Sequence, residues 1–293
     1  MSALRVVRTV AELRAALEPT RRKGELIGLV PTMGFLHAGH LSLIEAARER
    51  SDVVVMSLFV NPAQFGDGED LDSYPRNEAR DLELAAQAGA DIVFAPDVDE
   101  VYPSGFSTRV EVEGLSNVLC GHPDRRGAAH FRGVTTVVAK LLNMAQPDSV
   151  YFGQKDAQQA IVVRRMALDL DFPAEVVVVP TVREADGLAL SSRNVYLGAS
   201  ERERAVALSR ALSAARSAHA NGVDQALEAA RAALADAEIE PEYLEARYAD
   251  DLEPAQSFNG RPVLLAVAAR VGKARLIDNV IVEPSGGQSE HSR

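Results

Sequence analysis

Short apolar runs alternate with longer amphipathic stretches through the first half of the chain, a spacing that predicts a parallel sheet covered by helices. Residues 26–30, 53–60, 91–95, 149–152 and 175–181 read as strands. Residues 40–49, 77–88, 134–145 and 156–168 read as helices. The expected fold class is therefore α/β, a Rossmann-like doubly wound sheet whose ligands bind beyond the carboxyl ends of the strands. After residue 181 the texture changes to a polar loop and two Ala-rich helices at 200–220 and 224–237. Strand-like runs at 243–248, 263–270 and 276–282 follow. Helices followed by strands predict a smaller C-terminal α+β domain. The expected division is 1–181 for nucleotide and small substrate, 182–283 as a lid, and a polar, disordered tail at 284–293.

Composition narrows the function more than the fold. Lys and Arg total 31 against 42 Asp and Glu, a net charge of −11, which argues against sequence-independent binding to nucleic acid or anionic membrane. An anionic substrate would need a locally basic site. Cys120 is the single cysteine, so an intrachain disulfide and a multi-cysteine metal site are excluded. Residues 1–10 lack the apolar core of a secretory signal, and no apolar run approaches a membrane span. A cytoplasmic protein is expected.

Four segments carry candidate chemistry. Pro31-Thr32-Met33-Gly34-Phe35-Leu36-His37-Ala38-Gly39-His40 follows the first buried strand and enters a helix. Backbone N–H groups and the dipole at a helix N-terminus favour phosphate, Gly34 and Gly39 permit close approach, and His37 and His40 can reach one ligand together. The same pair could instead cap the helix; two histidines are too few to hold zinc. Phe59-Val60-Asn61-Pro62-Ala63-Gln64-Phe65-Gly66 sets neutral amides beside aromatic rings, which suits a small ligand with hydroxyls and a carboxylate, or a structural turn.

Phe152-Gly153-Gln154-Lys155-Asp156-Ala157-Gln158-Gln159 is again a strand end, a glycine and a helix start. Lys155 could neutralise triphosphate charge and Gln159 donate to a small substrate, while Asp156 could equally serve as a helix cap. Leu190-Ser191-Ser192-Arg193-Asn194 offers hydroxyls and a guanidinium for phosphate oxygens, or a solvated turn.

These segments, in this order and with the His130-Phe131-Arg132-Gly133-Val134 run, resemble the pantoate–β-alanine ligase family of the nucleotidyltransferases. The resemblance extends to about Glu283. HAGH at 37–40 is similar to the HIGH motif of that superfamily, and LSSR at 190–193 to its KMSKS-like loop. The resemblance implies an ATP-dependent ligase. It would activate pantoate as an acyl adenylate with release of pyrophosphate, then join it to β-alanine with release of AMP, Mg²⁺ accompanying the nucleotide.

The resemblance also implies residue roles. Met33, Gly34, His37, Gly39, His40, Gly153, Gln154, Lys155, Asp156, Val182, Leu190, Ser191, Ser192 and Arg193 would line ATP, with His40 as proton donor and His37, Lys155 and Arg193 in the catalytic set. Gln64 and Gln159 would hold pantoate, Gln64 also lying beside β-alanine, and Asn61, His130 and Arg126 would complete the substrate site. A homodimer is implied. Metal ligands stay unassigned, with Asp81 a weak candidate. The chain departs from the family in having Gln154 for a usual Glu, Ala157 for a usual aromatic, and a lengthened run before His130 that leaves open which of Arg125 and Arg126 faces substrate. Two rivals stand beside this reading: a nucleotidyltransferase whose product keeps the AMP, and a nucleotide-binding module without activity.

Overall fold

The computed structural model describes residues 4–66 and 71–284; the tail expected to be disordered lies, from 285 on, outside the described residues. The residues divide into two compact units. One is drawn from Met1–Gln154 and Gln158–Val182, the other from Lys155–Ala157 and Arg183–Arg293. Each unit has a sheet of its own.

The first unit holds six parallel strands: β1 (Arg5–Val7), β2 (Ile27–Thr32), β3 (Val53–Leu58), β4 (Ile92–Phe94), β5 (Ser149–Gly153) and β6 (Glu175–Val179). Their order is β1-β4-β3-β2-β5-β6. Helices α1 (Val10–Lys23), α2 (Ala38–Arg50), α3 (Glu78–Ala88), α4 (Val98–Val101), α5 (Ala128–Ala145) and α6 (Ala157–Asp169) make the crossovers. This is the doubly wound sheet that the alternation predicts. Strand order reverses between β2 and β5, and the crevice beyond their carboxyl ends is where such folds take ligands. Val30, Val54, Met56, Val93 and Tyr151 are buried against Ile44 and Ala47 of α2 and Ala85 of α3, so the strands feeding that edge are anchored in core.

Two elements at the start escape the periodicity. α1 is fixed by a capping box in which the Thr9 hydroxyl accepts the Glu12 N–H at 3.2 Å and the Glu12 carboxylate accepts the Thr9 N–H at 3.1 Å. It ends at Gly24, whose φ of 70° closes the last turn. Pro19, inside the helix, masks it in the sequence. β1 is three residues long, too short to show alternation.

α5 begins at Ala128, not Val134, because Gly133 is a helical residue chosen for close approach. A Cβ there would lie 2.2 Å from the Ala63 carbonyl oxygen and 2.6 Å from Gln64 Cα. α6 starts one residue later than expected, after a tight 3₁₀ turn at Gln154–Asp156.

The second unit stacks α7 (Ala199–Ala205), α8 (Ala207–Ala218) and α9 (Val223–Ala235) with an antiparallel sheet of order β7-β8-β9, formed by Pro241–Tyr248, Val263–Val271 and Ala274–Val282. The helix expected at 200–220 is thus two helices and a short 3₁₀ turn. Small residues, Ala211, Ala215, Ala226 and Ala230, are fully buried and let α8 and α9 approach closely, with Val263, Leu265 and Val267 of β8 in the same core. Among the described residues no helix is long and apolar enough to cross a membrane.

Candidate active site

The loop from β2 to α2 is gripped through its backbone. Thr32 closes the strand by donating its hydroxyl to the Ser57 carbonyl at 2.8 Å and accepting the Gly34 N–H at 3.3 Å. Gly34 turns with φ 88°, where a side chain would be strained and its Cβ would meet Leu58 at 2.7 Å and the Asp81 carboxylate at 3.0 Å. Asp81, only 1% exposed, accepts the Phe35 N–H at 2.7 Å and the Leu36 N–H at 2.8 Å, one on each oxygen. Arg80 donates to the Leu36 carbonyl at 3.0 Å. Both carboxylate oxygens of the residue weighed as a metal ligand are thus engaged in shaping the loop.

The two histidines form a capping box. His37 Nδ1 accepts the Gly39 N–H at 3.1 Å and His40 Nδ1 accepts the His37 N–H at 3.4 Å, with ring centroids 4.1 Å apart. The His40 N–H goes to the His37 carbonyl at 2.8 Å. The first-turn amides expected to meet phosphate are therefore largely spent within the helix start. What replaces them is chemical: an imidazole that accepts at Nδ1 carries, when neutral, its proton on Nε2. Capping and ligand binding are compatible, since the cap fixes two rings as oriented N–H donors.

Past the carboxyl end of β3, Asn61 is 1% exposed and Gln64 9%. The Asn61 amide donates to Gln64 Oε1 at 3.0 Å and to the Gly133 carbonyl at 3.1 Å, while its oxygen accepts the Ala63 N–H at 3.2 Å and the Tyr102 hydroxyl at 2.8 Å. Gln64 Nε2 lies 2.9 Å from Met33 Sδ, so the loop expected to line a nucleotide touches the turn expected to hold a small acid. His130 faces the same turn. Its Nδ1 lies 2.7 Å from the Gln64 carbonyl, which can only accept, and its Nε2 lies 3.2 Å from an Arg126 guanidinium nitrogen, which can only donate. Arg125 donates to the Leu119 carbonyl at 2.6 Å.

At the carboxyl end of β5, Gly153 and Gln154 are half-buried. On α6, Gln159 is half-buried and its neighbour Gln158 fully buried. Gln158 accepts the Cys120 N–H and donates to the Leu115 and Val118 carbonyls, pinning the 115–120 loop. Val182 closes the first unit.

Lys155 and Asp156 belong by their contacts to the second unit. Lys155 Nζ is 3.4 Å from Asp156 Oδ2, and the Lys155 carbonyl accepts from Asn279 at 2.9 Å. In the 183–194 segment, Leu190, Ser191, Ser192 and Arg193 are half-buried, and Ser191 caps the following turn by accepting the Arg193 N–H at 3.3 Å. Arg183 makes a two-pronged ion pair with buried Asp278, at 2.7 and 2.9 Å. Arg202 holds Glu184 at 2.5 and 3.1 Å and Asp186 at 2.8 Å, and Asn194 donates to Glu184 at 3.1 Å. The Arg202 hydrogen bond pulls the Glu184 carboxyl below its ordinary range.

Sequence reasoning missed Tyr102, and it weighed Asp81 only as a metal ligand. Tyr102 lies 41 positions from Asn61 and carries no local signal. Asp81 reads as an acid in the first turn of a helix capped by Asn77, and only the tertiary fold shows what it holds. Among the described residues no group of three or more His, Cys, Asp or Glu side chains is arranged to hold a metal.

A doubly wound sheet with an imidazole pair at the start of the helix after β2 defines an α/β fold of the class that takes ligands beyond the carboxyl ends of its strands. Within it, the chain belongs to the pantoate-beta-alanine ligase family, whose model matches residues 5–281. It is 54% identical over 284 residues to the pantothenate synthetase of Moorella thermoacetica, covering 96% of this chain and 99% of that one. The solved pantothenate synthetase of Thermus thermophilus superposes with a TM-score of 0.88 at 52% identity, covering 96% and 100% of the two chains. The pantoate-beta-alanine ligase of Francisella tularensis, solved with beta-gamma ATP and beta-alanine, matches at TM-score 0.78 and 31% identity over 95% and 98%.

Proposed function

We propose that this chain condenses pantoate with β-alanine at the expense of ATP. The observation that carries the reading is the contact between Met33 and Gln64: the loop bearing the two oriented histidines touches the turn that offers amide donors to a small acid. A phosphate at the first and a carboxylate at the second would meet, as adenylation requires.

In the first step a pantoate carboxylate oxygen attacks the α-phosphorus, the bond to pyrophosphate breaks, and pantoyl adenylate forms. A carboxylate nucleophile needs no general base, so the work left to the protein is positioning and charge stabilisation. The Nε2–H groups of His37 and His40 would donate to phosphoryl oxygens, with Lys155, Ser191, Ser192 and Arg193 balancing charge. Met33, Gly34, Gly39, Gly153, Gln154, Asp156, Val182 and Leu190 would line the nucleotide. In the second step the β-alanine amine attacks the acyl carbon, AMP departs and the amine loses a proton. Gln64 and Gln159 would hold pantoate, and His130 with Arg126 would stand on the Gln64 side.

Asn61 supports Gln64 rather than reaching substrate, because four protein partners occupy its amide. Mg²⁺ would enter this scheme as a companion of the triphosphate: the Asp81 oxygens already hold Phe35 and Leu36, and among the described residues no group of three or more His, Cys, Asp or Glu side chains is arranged to hold a metal, so no step is assigned to the ion. A cytoplasmic homodimer completes the reading, supported by the family resemblance and the single cysteine.

The test is a coupled assay with ATP, pantoate and β-alanine, omitting each in turn. Steady AMP release that depends on all three is expected. AMP retained in a product, or ATP turnover indifferent to β-alanine, would overturn the assignment.

A further inference from the structure

We propose that Tyr102 is a positioning residue for the small acid: through Asn61 it holds the Gln64 carboxamide with its NH₂ group presented as donor. The inference rests on the ligase reading and deepens it.

The polarity of each group in the relay is set by its neighbour. The Ala63 N–H can only donate and the Gly133 carbonyl only accept, so the Asn61 amide has one orientation, with oxygen toward the first and nitrogen toward the second. The Tyr102 hydroxyl, 2.8 Å from that oxygen, must then donate. The second Asn61 N–H goes to Gln64 Oε1, which turns Gln64 Nε2 toward Met33 Sδ. A thioether is a weak acceptor, so exchange for a carboxylate or hydroxyl oxygen is favourable. The site thus selects a ligand that accepts a hydrogen bond there.

Asn61 is 1% exposed, and removing the hydroxyl would leave one of its lone pairs buried without a donor, loosening the amide that aims Gln64. Burial pushes the Tyr102 hydroxyl up to about 12, so it stays a donor through the range in which an enzyme works.

Tyr102→Phe keeps the ring against Phe59 and Phe106, whose centroids are 6.2 and 5.1 Å away, and removes only the hydroxyl. The expected result is a pantoate KM raised roughly 3- to 10-fold with the ATP KM within about twofold, the scale of one net hydrogen bond. In a Gln64→Ala background the same change should have almost no further effect on pantoate KM, because the group it positions is gone. Unchanged pantoate KM, equal rises for pantoate and ATP, or full additivity with Gln64→Ala would overturn the relay while leaving the ligase reading standing. A wild-type enzyme that makes no pantothenate from the three substrates would overturn the ligase reading, and this one with it.

Discussion

Side chains grip backbone around the β2–α2 loop, whereas in the 183–202 segment ion pairs between side chains stand beside such backbone contacts. In the first, Asp81, His37, His40 and Thr32 accept N–H groups of Phe35, Leu36, Gly39, His37 and Gly34. In the second, Arg183–Asp278 and Arg202–Glu184–Asp186 are ion pairs, with Asn194 joined to Glu184. A backbone grip fixes where a loop lies and which way its donors point, and it is short-ranged and little screened. Half-exposed side-chain pairs such as Arg202 with Glu184 and Asp186 are worth less and answer to salt and pH. The difference separates preorganised geometry from adjustable charge, and substitutions can break or sharpen it.

The largest expected effect is that of Lys155→Ala. Loss of a charge-stabilising donor should lower kcat roughly 10²-fold, with the fold retained because the half-buried side chain contributes little packing. Steady-state kinetics beside a thermal melt would check both halves; near-normal turnover would remove Lys155 from the chemistry.

Asp81→Asn comes next. One backbone N–H, of Phe35 or Leu36, would face an amide NH₂ instead of an oxygen, a cost of about 1–3 kcal/mol. The melting temperature should fall and the ATP KM rise, and the shift should persist in about 1 M salt, where exposed pairs are screened. A change that vanishes in salt would mean that Asp81 acts as a charge rather than as a backbone acceptor.

The smallest effect belongs to Glu184→Gln. Because Arg202 holds the Glu184 carboxyl below its ordinary value of 4.5, the pair contributes stability that is present above that value and is lost as pH falls through the lower, folded one. The wild-type advantage should stay under about 1 kcal/mol at neutral pH. It should shrink both in acid and in salt. Melting curves across pH would show it, and an advantage that grew toward acid would contradict the sign.

The contrast also explains what could be read from the chain. The site's strand–glycine–helix punctuation is local, so the 31–40 and 152–159 segments stand out, as do the strands behind them. The backbone grip is not local: Asp81 reaches Phe35 across 46 positions and Tyr102 reaches Asn61 across 41, and no spacing announces either. The first six residues of α5 hide for a related reason, since Gly133 looks like a helix breaker until the turn at Ala63 and Gln64 packs on it. α1 is not read from the chain although Thr9 and Glu12 carry the spacing of a capping box, because Pro19 argues locally against the helix that tertiary packing of Leu13 and Leu17 sustains.

Adenylation before any need for the amine is the centre of the proposed reaction, and one measurement tests it most directly. Enzyme at a concentration comparable to substrate is mixed with ATP, Mg²⁺ and pantoate, without β-alanine, and quenched at intervals. The result predicted is a burst of up to about one pyrophosphate per active site, followed by slow release, with AMP and pantothenate appearing together once β-alanine is added. No pyrophosphate until β-alanine is present, with pyrophosphate–ATP exchange equally dependent on the amine, would contradict it.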